Sequence, residues 1–196
     1  MTLHRSHQAG PGNPELAEVS GSMMTSTAAK ALAVLRVVSG FVFLWAFLDK
    51  TFGLHYATST AKAWINGGSP TKGFLTSVQV GPFQSWFHSI AGSWWANVLF
   101  MLGLLGIGVA LIAGVAVRIA AGSGVLMLAL MWLAEFPLAQ HTSKGALTGS
   151  PNPFADYHFV YGIVMVVLAL TYAGSTWGLG RFWARLPFVH RHRWAL

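Results

Sequence analysis

The chain contains no cysteine. Disulfides, thiol redox chemistry, iron–sulfur ligation and c-type haem attachment are therefore excluded for the chain itself. A redox role would need an organic cofactor, a metal held without thiolates, or a partner subunit. Charge is scarce as well. Charged residues make up 9% of the 196 positions and hydrophobic ones 54%, and the mean hydropathy is +0.55. A soluble domain carries about 25% charged residues, so this chain does not read as one that meets water on most of its surface. Acidic residues are the rarest charges, five against twelve Lys and Arg. The resulting net charge of +7 does not point to nucleic acid, because the basic residues flank apolar runs instead of gathering on one soluble element. In that position they report membrane topology and attraction to anionic lipid.

What is abundant agrees with that reading. Thirteen Phe and nine Trp are present, and Trp concentrates at membrane interfaces. Apolar runs occupy about 31–48 (broken by Arg36), 94–117, 119–136 and 157–174. Each is near the ~20 residues that cross a ~30 Å hydrocarbon core. The expected fold is all-α: an integral membrane four-helix bundle with a long first extracytoplasmic loop carrying short interfacial helices. Arg118 alone separates the second and third runs, which predicts a tight antiparallel hairpin. Arg5, Lys30, Arg118, Arg181, Arg185, Arg191 and Arg193 fall on one side, and Lys50, Lys62, Lys72 and Lys144 on the other. The positive-inside rule then places both termini in the cytoplasm of a cell (plasma) membrane protein. Residues 1–27 read as a disordered tail, 28–180 as the membrane domain and 181–196 as a basic cytoplasmic tail.

In the long connection 49–93, Phe83, Trp86, Phe87 and Ile90 follow Pro82 at i, i+3, i+4 and i+7, which predicts an amphipathic helix. Residues 57–65 form a second short helical candidate, ended by Asn66-Gly67-Gly68. Small residues mark helix contacts in lipid. The second run carries Gly106, Ala110 and Gly114 at four-residue spacing with Gly103 nearby, the third has Ala120 and Gly124, and the first has Gly40.

Three acidic residues lie outside the N-terminal tail: Asp49, Glu135 and Asp156. They end the first span, end the third and begin the fourth, so the topology puts all three in one outer layer with Lys50, His55, His141 and His158. Ionisable groups at membrane depth are costly and often functional. Carboxylate and imidazole beside an apolar aromatic cleft can bind a quinone and exchange its protons. Glu135, Asp156 and His158 are the catalytic candidates; Arg36, Asp49, Lys50 and His141 are candidates for binding substrate or quinone. The alternative is a set of helix-end charges paired with each other and with headgroups, Asp156 merely complementing a helix dipole. Glu135 is the hardest to dismiss this way, because Trp132-Leu133-Ala134-Glu135-Phe136-Pro137 surrounds it with large apolar side chains. Arg36 can snorkel to the interface, or anchor a neighbouring carbonyl or an anionic headgroup. His4, His7, His190 and His192 lie in the tails without further ligands, and no metal is assigned.

Arg36-Val37-Val38-Ser39-Gly40-Phe41-Val42-Phe43-Leu44, followed by Asp49-Lys50, resembles the first span of DoxX/DoxD-like membrane proteins. Trp64-Ile65-Asn66-Gly67-Gly68-Ser69-Pro70-Thr71-Lys72-Gly73-Phe74-Leu75 resembles the loop after that span in the DoxD-type branch. Asn152-Pro153-Phe154-Ala155-Asp156-Tyr157-His158 is similar to the entry to the fourth span. The likeness runs over about residues 30–180. It implies a subunit of a thiosulfate:quinone oxidoreductase, which oxidises thiosulfate to tetrathionate and reduces membrane quinone, in contact with lipid and with a partner redox subunit. A non-catalytic scaffold or assembly factor for a partner enzyme is the alternative, and a homo-oligomer is compatible with either. A solute carrier is weaker, since the runs show no inverted repeat or discontinuous helix.

Overall fold

The structure is a computed structural model that describes residues 25–196; the expected tail over residues 1–24 lies outside the described residues. The described residues form helices and turns, with one isolated antiparallel bridge between His141 and Leu147 and no strand. Helix α1 is Ser26–Phe52, α2 Lys72–Thr76, α3 Gln84–Ile90, α4 Trp94–Ala113, α5 Val117–Glu135, α6 Tyr157–Leu170, α7 Gly180–Ala184 and α8 Pro187–Arg191.

Three of these helices, α1, α4 and α5, are long and apolar enough to cross a membrane. Helix α1 starts before the apolar run and ends after it. Thr25 accepts the Ala28 amide at its start, and Gly53, in the left-handed region, closes its end on the Asp49 carbonyl. Its 27 residues extend about 40 Å at 1.5 Å per residue, so hydropathy marks only its middle. Helix α6 is apolar but has 14 residues, about 21 Å, and ends at Leu170 rather than 174. Tyr172 takes a positive φ of 51° there and turns the chain into a 3-10 turn, Ala173–Ser175.

Successive long helices run antiparallel, α1 along α4, α4 along α5 and α5 along α6. The α1–α4 crossing is made at backbone distance. A Cβ on Gly40 would lie 2.9 Å from the Gly108 carbonyl oxygen, and one on Gly108 would lie 2.7 Å from the Leu44 nitrogen. This corrects the small-residue stripe read from the sequence: Gly106 has open space where its Cβ would stand, and Gly108 makes the contact. Gly114 instead ends α4 with a φ of 73°, against the Arg36 guanidinium. Phe43, Met101, Leu104, Ile107, Leu111, Leu128, Met165 and Leu168 fill the space between the helices. Large apolar side chains such as Phe41, Leu99, Leu126 and Val160 point outward, which is consistent with contact with membrane lipid.

Segments 53–93 and 136–156 cover the end of this assembly where α5 finishes and α6 begins. Two 3-10 turns, Thr60–Lys62 and Trp64–Asn66, precede α2 and α3. Phe87 of α3 is buried with Leu75, Val78 and Ala134 of α5, while Phe83 and Trp86 stay half exposed. The buried Asn97 Oδ1 accepts the Thr71 amide at 3.1 Å, the Thr71 hydroxyl at 2.7 Å and the Ser69 hydroxyl at 3.0 Å, tying the loop to α4. At the opposite end, residues 181–196 are folded. Helices α7 and α8 and the turn Arg193–Ala195 lie over the α4–α5 hairpin, with Val189 and Ala195 buried. The Arg118 amide donates to the Leu196 carbonyl at 2.7 Å, and the Trp183 indole to that of Ala195 at 2.7 Å.

Candidate functional site

Glu135 is the last residue of α5, and Asp156 stands immediately before α6. Asp156 is the helix N-cap: its Oδ1 accepts the Phe159 amide at 3.0 Å, satisfying one of the donors that a helix start leaves open. Its other oxygen, Oδ2, lies 2.9 Å from His158 Nδ1. Glu135 Oε2 approaches the same nitrogen to 3.8 Å. The Tyr157 hydroxyl donates to Glu135 Oε1 at 2.8 Å. One imidazole thus has two carboxylates on its Nδ1 side. The end of one helix and the cap of the next bring these groups together.

Burial grades across the group. His158 is 1% exposed and Asp156 4%, whereas the Glu135 side chain is 36% exposed. On the wetter side, Glu135, Asp156 and Tyr157 border a half-open cavity of about 470 Å³ with both polar and apolar lining, flanked by residues 77–80 and 147–151. On the other side, His158 borders an apolar groove of about 330 Å³ between α5 and α6, walled by Val125, Leu128, Ala129, Trp132, Phe154, Phe159, Gly162, Ile163 and Val166. The Trp132 indole N–H is engaged with the Phe154 carbonyl at 3.0 Å. His158 Nε2 is buried and has no hydrogen-bond partner. A single residue therefore stands between a half-open cavity with carboxylates on its wall and an apolar slot. Glu135, Asp156 and His158 each also offer one ligand atom within 4.8 Å of the others, although the short Asp156–His158 contact has the length of a hydrogen bond.

The other sequence candidates stand elsewhere. Asp49 is buried at the end of α1, and its carboxylate accepts the amides of Tyr56 at 3.2 Å and Ala57 at 3.0 Å, which folds the next loop back onto the helix. Lys50 lies 6.0 Å from the centre of the Phe100 ring. His141 is exposed in the bridge with Leu147. None of the three borders either cavity. Arg36 lies ~20 Å along α1 from Asp49 and is fully buried. Its guanidinium donates to the carbonyls of Ala173 at 3.1 Å, Ile112 at 2.9 Å, Trp177 at 3.0 Å, Thr176 at 3.3 Å and Leu111. These carbonyls belong to the end of α4 and to the turn after α6, so the side chain is a clamp inside the protein rather than one reaching for the interface. Tyr157 is the site residue that the sequence reading passed over. A tyrosine beside an apolar run looks like a member of the interfacial aromatic belt, and only its neighbours Asp156 and His158 hint otherwise.

Together these features define a class: among the described residues, an all-helical protein with three helices long and apolar enough to cross a membrane and an acid–imidazole group around the buried His158 at one end. Comparison of the chain with protein-family models, curated proteins and solved structures gives no match.

Proposed function

We propose that this chain is a multi-pass membrane subunit of a quinone-linked oxidoreductase. In this reading α6 completes a four-span bundle, both termini are cytoplasmic, and the Glu135–Asp156–His158 group lies at the outer face of the cell membrane. The observation that carries it is the position of His158, which meets two carboxylates on one side and an apolar groove open between α5 and α6 on the other. A quinone is an apolar-tailed ring whose redox chemistry moves protons, and such a groove suits its tail while the imidazole and carboxylates serve its head. Reduction of one quinone takes two electrons and two protons. The protons would pass by way of His158 and be replaced through Glu135 from the half-open cavity.

The electrons need a donor outside this cysteine-free chain. In the DoxD-type reading, two thiosulfates join through a new S–S bond to give tetrathionate and release two electrons. That half rests on the sequence resemblance. The half-open cavity presents carboxylates and no cationic side chain, which disfavours a dianion there. Thiosulfate would instead be met near Lys50, Lys62 and Lys72 or on a partner redox subunit.

The test uses the full chain in lipid nanodiscs, with binding of a short-chain benzoquinone measured apart from turnover. Gly162 borders the groove, and a Cβ there would meet open space, so Gly162→Leu fills the slot without forcing the helices apart. The expected result is loss of quinone binding in Gly162→Leu with unchanged thermal stability. Thiosulfate-dependent quinone reduction should slow in Glu135→Gln and Asp156→Asn. Absence of quinone binding by the unaltered protein refutes the reading and favours a scaffold for a partner enzyme.

A further inference from the structure

We infer that residues 177–196 form an interfacial anchor for anionic phospholipid, independent of the quinone reading. Arg181, Arg185 and Arg191 meet the headgroup phosphates, and Phe182, Phe188 and Trp194 lie among the first carbons of the acyl chains. Depth is the first argument. Helix α4 has 20 residues, about 30 Å, which matches the hydrocarbon thickness. The segment rests on the end of that helix and of its hairpin partner: the Leu179 amide donates to the Ala113 carbonyl at 2.8 Å, and the turn Arg193–Ala195 packs on α5. Helix α6 stops short, and α7 packs on the turn Ala173–Ser175 that follows it. The segment therefore sits where acyl chains give way to headgroups.

Its surface is the second argument. The segment is folded, with Val189 and Ala195 buried and the Trp183 indole bonded to the Ala195 carbonyl, yet Phe182, Phe188 and Trp194 are each more than half exposed. Exposed large rings beside exposed arginines suit a membrane interface, where the ring enters the apolar layer and the guanidinium reaches the phosphates. Arg185 stands 5.9 Å from the centre of the Phe182 ring, so charge and ring come as one unit. Charge is the third argument. The chain has no Asp or Glu from Tyr157 to Leu196, and the acidic residues of the described chain, Asp49, Glu135 and Asp156, stand at the opposite end. A zwitterionic headgroup carries its own cation and an anionic one does not, so the arginines favour the anionic lipid. An acidic protein surface would match the charge, but it would not account for the rings at this depth.

The absence of cysteine allows the test to be made at one point. Leu186→Cys carries a single fluorescent label between α7 and α8, and Lys144→Cys carries one at the far end. The full chain is placed in nanodiscs of fixed phosphatidylcholine and phosphatidylglycerol content, with bromine on the acyl chains of one lipid or the other. At Leu186→Cys, brominated phosphatidylglycerol is expected to quench more strongly, a local enrichment on the order of fivefold, the factor that one arginine near the surface contributes. The label at Lys144→Cys should show no such preference. With Arg181→Gln, Arg185→Gln and Arg191→Gln combined, quenching should persist through the rings while the preference disappears. Equal quenching by the two lipids with the arginines intact overturns the inference, as does a preference that survives their replacement. No quenching by either lipid also overturns it, and leaves the surface to a protein partner. The comparison of the two lipids is made with all arginines present, so it stands even where the triple variant does not fold.

Discussion

The Tyr157 hydroxyl donates to Glu135 Oε1 over 2.8 Å, so the first residue of α6 is fastened to the last residue of α5. Both residues are partly exposed, and a neutral donor competing with water gains little net stability. Tyr157→Phe should lower unfolding stability by less than about 1 kcal/mol, read as a small shift in melting temperature in detergent. A loss of several kcal/mol would mean that the pair is far drier than its exposure indicates.

Asp156 has two tasks that substitutions separate. Asp156→Ala removes the N-cap, worth about 1 kcal/mol, and leaves the buried His158 Nδ1 without its acceptor, worth roughly 1–3 kcal/mol more. Asp156→Asn keeps an oxygen for the Phe159 amide and should unfold closer to the unaltered protein. Its amide nitrogen, however, donates where the carboxylate accepted. Melting temperatures of the two variants in one detergent read the difference, and an Asp156→Asn protein no more stable than Asp156→Ala would show that the oxygen for the Phe159 amide contributes nothing.

Arg36 supports the opposite end. Five carbonyls from the end of α4 and from the turn after α6 converge on its guanidinium, and the turn itself contains two non-glycine residues of positive φ, Tyr172 and Trp177. Such conformations cost about 1 kcal/mol or more each and persist because the clamp holds them. Arg36→Met, close in length but without donors, should cost at least about 3 kcal/mol by orphaning several buried carbonyls. Arg36→Lys should recover only part of this, since three donors on a point charge cannot reproduce a five-donor fork. Equal melting temperatures for Arg36→Lys and the unaltered protein would show that the fork geometry does not matter.

The contrast between Arg36 and the Glu135 group shows what was legible beforehand. Long uncharged runs betray helices able to span a membrane because lipid tolerates few ionisable groups, and the same scarcity made Glu135, Asp156 and His158 visible as candidates. Arg36 was equally visible as a charge, but its partners are backbone carbonyls 75 to 141 residues away, and carbonyls leave no mark in a sequence. Asp49 is similar: it ends α1 on the side where α5 finishes, as its place in the sequence suggests, but the amides it accepts belong to the loop that follows it and leave no mark of their own. The groove could not be read at all, because it is defined by how α5 and α6 lean on each other rather than by any motif.

Glycine placement shows the same limit and gives the most discriminating stability test. Gly106 and Gly108 are two residues apart on α4, and spacing rules do not choose between them, since the choice depends on the rotation of α4 about its axis. The structure has Gly108 against α1, where an added Cβ would approach the Leu44 backbone to 2.7 Å, and Gly106 facing open space. In lipid, where helices associate by close packing, that crossing cannot widen without losing contacts along both helices. Gly108→Leu and Gly40→Leu should each destabilise by roughly 1–3 kcal/mol, the usual cost of overpacking, and their effects should not add, because the two glycines face each other. Gly106→Leu should be neutral or slightly stabilising, as leucine favours the helix over glycine by up to about 1 kcal/mol. Thermal unfolding of the three single variants and the Gly40/Gly108 double variant in one detergent reads all of this. A Gly106→Leu protein less stable than Gly108→Leu would mean that Gly106, not Gly108, faces α1.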